Sequence, residues 1–95
     1  MRGYYELVLG IVSAHSGFIT EEILKGRSEL CTDARSLLVY FLSLRLTNGE
    51  IIRLTGLSKQ AVSQLLNRYN DRKRHKFSLQ SEERSIRSEL DAIAE

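Results

Sequence analysis

Apolar residues in this chain recur with the period of a helix rather than a strand. Leu7, Val8, Ile11 and Val12 follow an i, i+1, i+4, i+5 spacing, which places them on one stripe of a helix from Tyr4 to about Ser16. Ser16-Gly17 ends that helix. Thr20 is the next candidate cap, and it opens a short helix from Glu21 to about Leu24 with both acids at the favourable N-terminal end. Lys25-Gly26-Arg27-Ser28 then breaks the pattern as a polar loop. Thr32 is expected to cap a helix from Asp33 to about Leu44. That helix carries Leu37, Leu38, Val39, Tyr40, Phe41 and Leu42, is apolar on most sides, and so belongs at the centre of a core. Near the end of the chain, a loop over Lys73–Ser78 precedes a last amphipathic helix in which Leu79, Ile86, Leu90 and Ile93 share a face.

The stretch from Thr47 to Asn67 carries the most specific pattern. Thr47 with Glu50 three residues on forms a capping box. Ile51 and Leu54 give a short apolar stripe. Gly56 falls where that helix must stop and the chain must turn through a left-handed conformation. Leu57 plugs the turn, and Ser58 caps the next helix. The apolar face of that helix is Val62, Leu65, Leu66 and Tyr69. Its other face holds Lys59, Gln60, Ser63, Gln64 and Asn67, side chains able to reach base edges in a major groove. Capping, turn chemistry and the phase of the apolar stripe agree on a helix-turn-helix with its recognition helix running from Ser58 to about Arg72. The plainer alternative is a helical hairpin with a polar outer face.

Composition narrows the fold to an all-α domain of five to six helices. Ninety-five residues make a single domain, residues 1–95, whose helices mostly bury one face each. There is no proline, and strand-like alternation is scarce. No apolar run approaches a membrane span. Glu6 interrupts the apolar run near the start, which does not read as a secretory signal. The one cysteine, Cys31, has no metal-ligand spacing around it and fits a reducing cytosol as a structural or incidental residue.

The net charge of +2 says little, but its distribution says more. Residues 58–76 hold six cations (Lys59, Arg68, Arg72, Lys73, Arg74 and Lys76) against Asp71 alone, a local charge of +5. Residues 77–95 carry −3. The basic block begins in the candidate recognition helix and runs off its end, as expected for phosphate contact. Ser58, Arg68, Arg72, Lys73 and Arg74 are the candidate phosphate ligands there, and Lys25 and Arg27 are the candidates across the groove. The competing explanation is a solvated helix end whose cations favour the dipole.

The order of elements resembles the C-terminal DNA-binding domain of the bacterial replication initiator DnaA, also found appended to some transposases. The resemblance covers roughly residues 7–93. It runs through Ile11-Val12-Ser13-Ala14-His15, Phe18-Ile19-Thr20, Glu22-Ile23-Leu24, the basic loop Lys25-Gly26-Arg27-Ser28, Ala34-Arg35-Ser36-Leu37, Glu50-Ile51 with Gly56, and Ile86 with Leu90. It implies a Trp-repressor-like fold, double-stranded DNA as partner, and a cytoplasmic, nucleoid-associated bacterial protein acting in replication or transcription regulation. The family signature Asp-His-Thr-Thr-Val is replaced here by Ser58-Lys59-Gln60-Ala61-Val62, so only the core position Val62 is shared and the family's base contacts do not transfer. Gly56-Leu57-Ser58 followed by Val62 is closer to ordinary bacterial repressors.

Catalysis has little support. His15 and His75 lie in no motif, Ser58 and Ser63 have no nearby base, and no cluster of carboxylates and histidines suggests a metal. The expectation is a DNA binder without enzyme activity, cofactor, metal or membrane partner. The competing expectation is a helical protein-interaction module on the same scaffold. The first helix, with Tyr4 and Tyr5, or the last one is the candidate face for a homodimer.

Overall fold

The computed structural model describes residues 2–94. Six helices follow one another: α1 (Arg2–Ser16), α2 (Thr20–Lys25), α3 (Glu29–Ser43), α4 (Asn48–Thr55), α5 (Lys59–Arg74) and α6 (Phe77–Ala94). No strand occurs among the described residues, as the all-α expectation requires. Met1 and Glu95 lie outside them, so one acid of the C-terminal charge count has no described position.

α3 runs through the middle. It buries Cys31, Ala34, Leu37, Leu38, Val39, Phe41 and Leu42 because its apolar residues occupy most of its circumference. α1, α2, α4 and α5 pack directly against it, and α6 closes the bundle against α1 and α5. Each outer helix buries a narrow stripe: Val8 and Val12 from α1, Ile23 from α2, Ile51 from α4, Val62 and Tyr69 from α5, Leu79 and Ile86 from α6. Leu90 is only half-buried and Ile93 is 53% exposed, so the apolar face of α6 outlasts the core it packs on.

Three boundaries differ from the sequence expectation. α3 starts one turn early, at Glu29, with Ser28 rather than Thr32 as its cap. Ser28 Oγ accepts from the Cys31 N–H at 3.1 Å, and Thr32 Oγ1 donates to the Ser28 carbonyl from inside the first turn. The extra turn carries Cys31 into the core, which a start at Asp33 would leave in a loop. Thr20 is not a cap but the first residue of α2. The Glu22 carboxylate accepts from the N–H of Ile19, whose side chain has no acceptor of its own. The expected loop over Lys73–Ser78 shrinks to His75 and Lys76, because α5 continues through Arg74 and α6 begins at Phe77. Cations in the last turn of α5 favour that extension.

Candidate nucleic-acid interface

The helix-turn-helix is built as its capping residues dictate. Thr47 Oγ1 accepts from the Glu50 N–H at 3.2 Å, and Glu50 returns the favour to the Thr47 N–H at 2.9 Å. These hydrogen bonds hold the Glu50 carboxyl below its ordinary pKa. Gly56 stops α4 at φ +75°, with its N–H on the Ile52 carbonyl at 2.9 Å. Ser58 Oγ accepts from the Ala61 N–H at 3.0 Å and starts α5. Thr55, a residue without an obvious sequence signal, ties the turn together. Its buried hydroxyl donates to the Ile51 carbonyl at 2.7 Å and accepts from the Leu57 N–H at 3.2 Å.

Helical geometry then sorts α5 by face. At about 100° per residue, buried Val62 and Tyr69 point one way, and Gln60, Gln64, Asn67, Asp71 and Arg74 point the opposite way, all exposed. Lys59 is exposed on one flank with half-buried Ser63 beside it, and Arg68 is exposed on the other. Ser58 is exposed at the start of the helix, its side chain already engaged as the cap. The candidate base readers therefore form one surface.

That surface borders a cleft of about 470 Å³ between α5 and the α2–α3 loop. Lys25 at the end of α2 and Arg27 in the loop line one side, Gln64, Arg68 and Arg72 line it from α5, and Leu24, Leu57, Ala61 and Leu65 supply apolar wall. Arg35, from the central helix, fixes the loop. Its Nε donates to the Ile23 carbonyl at 2.9 Å and its Nη2 to the Gly26 carbonyl, satisfying the open C-terminal end of α2. Gly26 has no room for a side chain, because a Cβ would meet Cys31 Sγ at 2.5 Å and collide with the Glu22 carbonyl.

The basic block is less free than its sequence suggests. Lys73 lies on the core side of α5, not on the exposed face. Its Nζ sits 3.1 Å from Glu83 Oε1 and over the Tyr69 ring. Arg72 Nη1 is 3.0 Å from Asp33 Oδ1, a carboxylate only 9% exposed. Arg74 pairs with Asp71 at 3.6 Å, with both side chains largely exposed. Such an exposed pair is worth about 0–1 kcal/mol, so phosphate competes for Arg74 readily. Arg72, whose partner is so little exposed, is held more firmly than Arg74. Lys25, Arg27, Lys59 and Arg68 make no ion pair among the described residues.

The interior face of α5 is clamped to α6. Tyr69 Oη donates to Glu83 Oε1 at 2.7 Å and stacks on Tyr40 with ring centroids 4.3 Å apart. Burial raises the Glu83 pKa, but the hydrogen bonds from Tyr69 and Lys73 outweigh it and leave the carboxyl below its ordinary value. Burial, reinforced by Glu83, pushes the Tyr69 phenol well above its ordinary range. Both tyrosines thus serve packing, as their positions suggested. His15, in the last turn of α1, meets Glu89 of α6 at 2.8 Å, and His75 caps α5. Among the described residues no group of three or more His, Cys, Asp or Glu has metal-binding geometry, and no helix is long and apolar enough to cross a membrane.

Comparison with family models, with curated proteins and with solved structures returned no match.

Proposed function

We propose that this chain binds double-stranded DNA, with α5 in the major groove and the α2–α3 loop on the flanking backbone. One observation carries the reading. The exposed face of α5 gathers Lys59, Gln60, Gln64 and Asn67 beside Lys25, Arg27 and Arg68, cations without an ion pair among the described residues. Hydrogen-bonding side chains at the start of a helix-turn-helix recognition helix read base edges, and flanking cations hold phosphates. Ser58 and Arg74 complete the phosphate set, and Ser63 lies at the edge of the reading surface. The resemblance to the replication initiator's DNA-binding domain supports the same reading, with replication, transposition or transcription control as the setting.

The test is binding of a labelled duplex over a salt series, followed by site selection on the wild type and Gln60→Ala. Affinity should fall steeply with salt. Gln60→Ala should cost about 1–3 kcal/mol on the preferred site and relax one base pair, since glutamine bonds adenine through two atoms. Folding should be nearly untouched, because Gln60 is exposed. A wild type that selects no site refutes specific recognition.

A second reading, a protein-interaction module, is favoured by one feature. Tyr4, Leu7, Phe41, Leu44, Leu90 and Ile93 line a groove of about 300 Å³ between α1 and α6, with Leu44 and Ile93 more than half exposed. Of the two tyrosines named for a homodimer face, Tyr4 lines this groove and Tyr5 is buried in the core. Absence of any salt-dependent DNA binding selects this reading over the first.

A further inference from the structure

Arg72 faces the cleft with Lys25, Arg27 and Arg68, yet it is not equivalent to them. Its guanidinium is 3.0 Å from the buried carboxylate of Asp33 on α3. Lys76 Nζ lies 3.1 Å from the same carboxylate and 3.0 Å from Glu29 Oε1. Two cations and two carboxylates therefore pair with one another, and of the four only Arg72 lines the cleft. Arg68, one turn before Arg72 on α5, has no such partner among the described residues.

We infer that Asp33 sets how much of the cleft's positive charge is available to DNA, by holding Arg72 and Lys76 as internal counter-ions. The inference rests on the DNA-binding reading and concerns regulation of that same site. A cation neutralised inside the protein adds little to the field that draws in a polyanion. It also cannot move to a phosphate without stripping a buried carboxylate of a partner. Arg68 meets phosphate at full charge, and Arg72 shapes the cleft wall. Asp33 touches no DNA and is a positioning residue whose charge, not only its packing, matters.

The sign of one effect separates this from a purely structural role. Asp33→Asn keeps the side chain's size and one acceptor oxygen but removes the charge. If Asp33 only held α5 in place, the substitution would weaken DNA binding. If it withholds charge, the substitution tightens binding and steepens its salt dependence.

The experiment measures fluorescence anisotropy of a labelled duplex across a potassium chloride series for the full chain. Variants are Arg68→Ala, Arg72→Ala, Asp33→Asn and the double variant Asp33→Asn/Arg72→Ala, each checked for helicity by circular dichroism. Arg68→Ala should flatten the log–log salt slope by about 0.9, and Arg72→Ala should leave it unchanged. Asp33→Asn should steepen it by about 0.9, and the double variant should return it to the wild-type value. Equal flattening by Arg68→Ala and Arg72→Ala overturns the inference, as does weaker binding by a folded Asp33→Asn variant at unchanged slope. If Asp33→Asn does not fold, the comparison of Arg68→Ala with Arg72→Ala decides alone. A wild type that binds no duplex sinks the DNA-binding reading itself, an outcome distinct from any pattern among slopes.

Discussion

Two neighbouring acids on α6 have opposite environments. Glu83 accepts from Tyr69 and Lys73, and its pKa is lowered. An acid with a depressed folded pKa contributes stability above its unfolded value, about 4.3, and loses it as pH falls through the folded value. Glu83→Gln should therefore lower stability at pH 7 by about 1.5–3 kcal/mol, the range for hydrogen bonds to a charged group. Urea titrations of wild type and variant should converge as pH falls through that lowered value. Glu82 is the reverse case. Burial, then the charge of Asp33, pushes its carboxyl up. Ionisation there opposes folding, so Glu82→Gln should stabilise the protein at pH 7. Partial solvent exposure limits the gain to under about 1 kcal/mol. The gain should fade as pH falls through the raised value toward 4.3. A variant less stable than wild type at pH 7 would show that Glu82 makes a favourable contact instead.

At the scale of elements, the α2–α3 loop is the exacting part. Its backbone passes so close to Cys31 that only glycine fits at position 26, and Arg35 ties down the carbonyls on either side of the turn. Gly26→Ala should cost about 1–3 kcal/mol through overpacking and shift Lys25 and Arg27 relative to α5. Thermal melting gives the first effect. The second appears as weaker duplex binding by variant that remains folded. Normal melting and normal binding together would mean that the loop yields easily. The helix-turn-helix was legible in advance because its signals are local: Thr47 with Glu50, Gly56, and Ser58 each act within four residues. The start of α3 was not, because Ser28 and Thr32 are both cap types. The start at Ser28 is the one that leaves Cys31 buried, against the close approach of Gly26.

For the whole molecule, the balance of paired and unpaired charge matters more than its sum. Arg72, Lys73 and Lys76 each meet a carboxylate from another helix, while Lys25, Arg27, Lys59 and Arg68 do not among the described residues. If the chain binds DNA as proposed, replacing Lys25 and Arg27 together by alanine should weaken binding to every duplex sequence alike and flatten the salt slope by up to about 1.8. Stability should change little, since both side chains are exposed. Anisotropy on specific and scrambled duplexes checks this. An unchanged slope would leave the two cations as solvent-facing charge only.

Periodicity, capping pairs and turn residues determined six helices in order, the central place of α3, and one polar face on α5. These are properties of neighbours along the chain, and short-range sterics and hydrogen bonds decide them. Tertiary structure alone decided which cations stay free. Asp33 and Arg72 are 39 residues apart, and Asp33 and Lys76 are 43 apart. No local pattern marks either pair. Only the packing of α3 against α5 and the residues just after it brings these charges within 3.1 Å of each other.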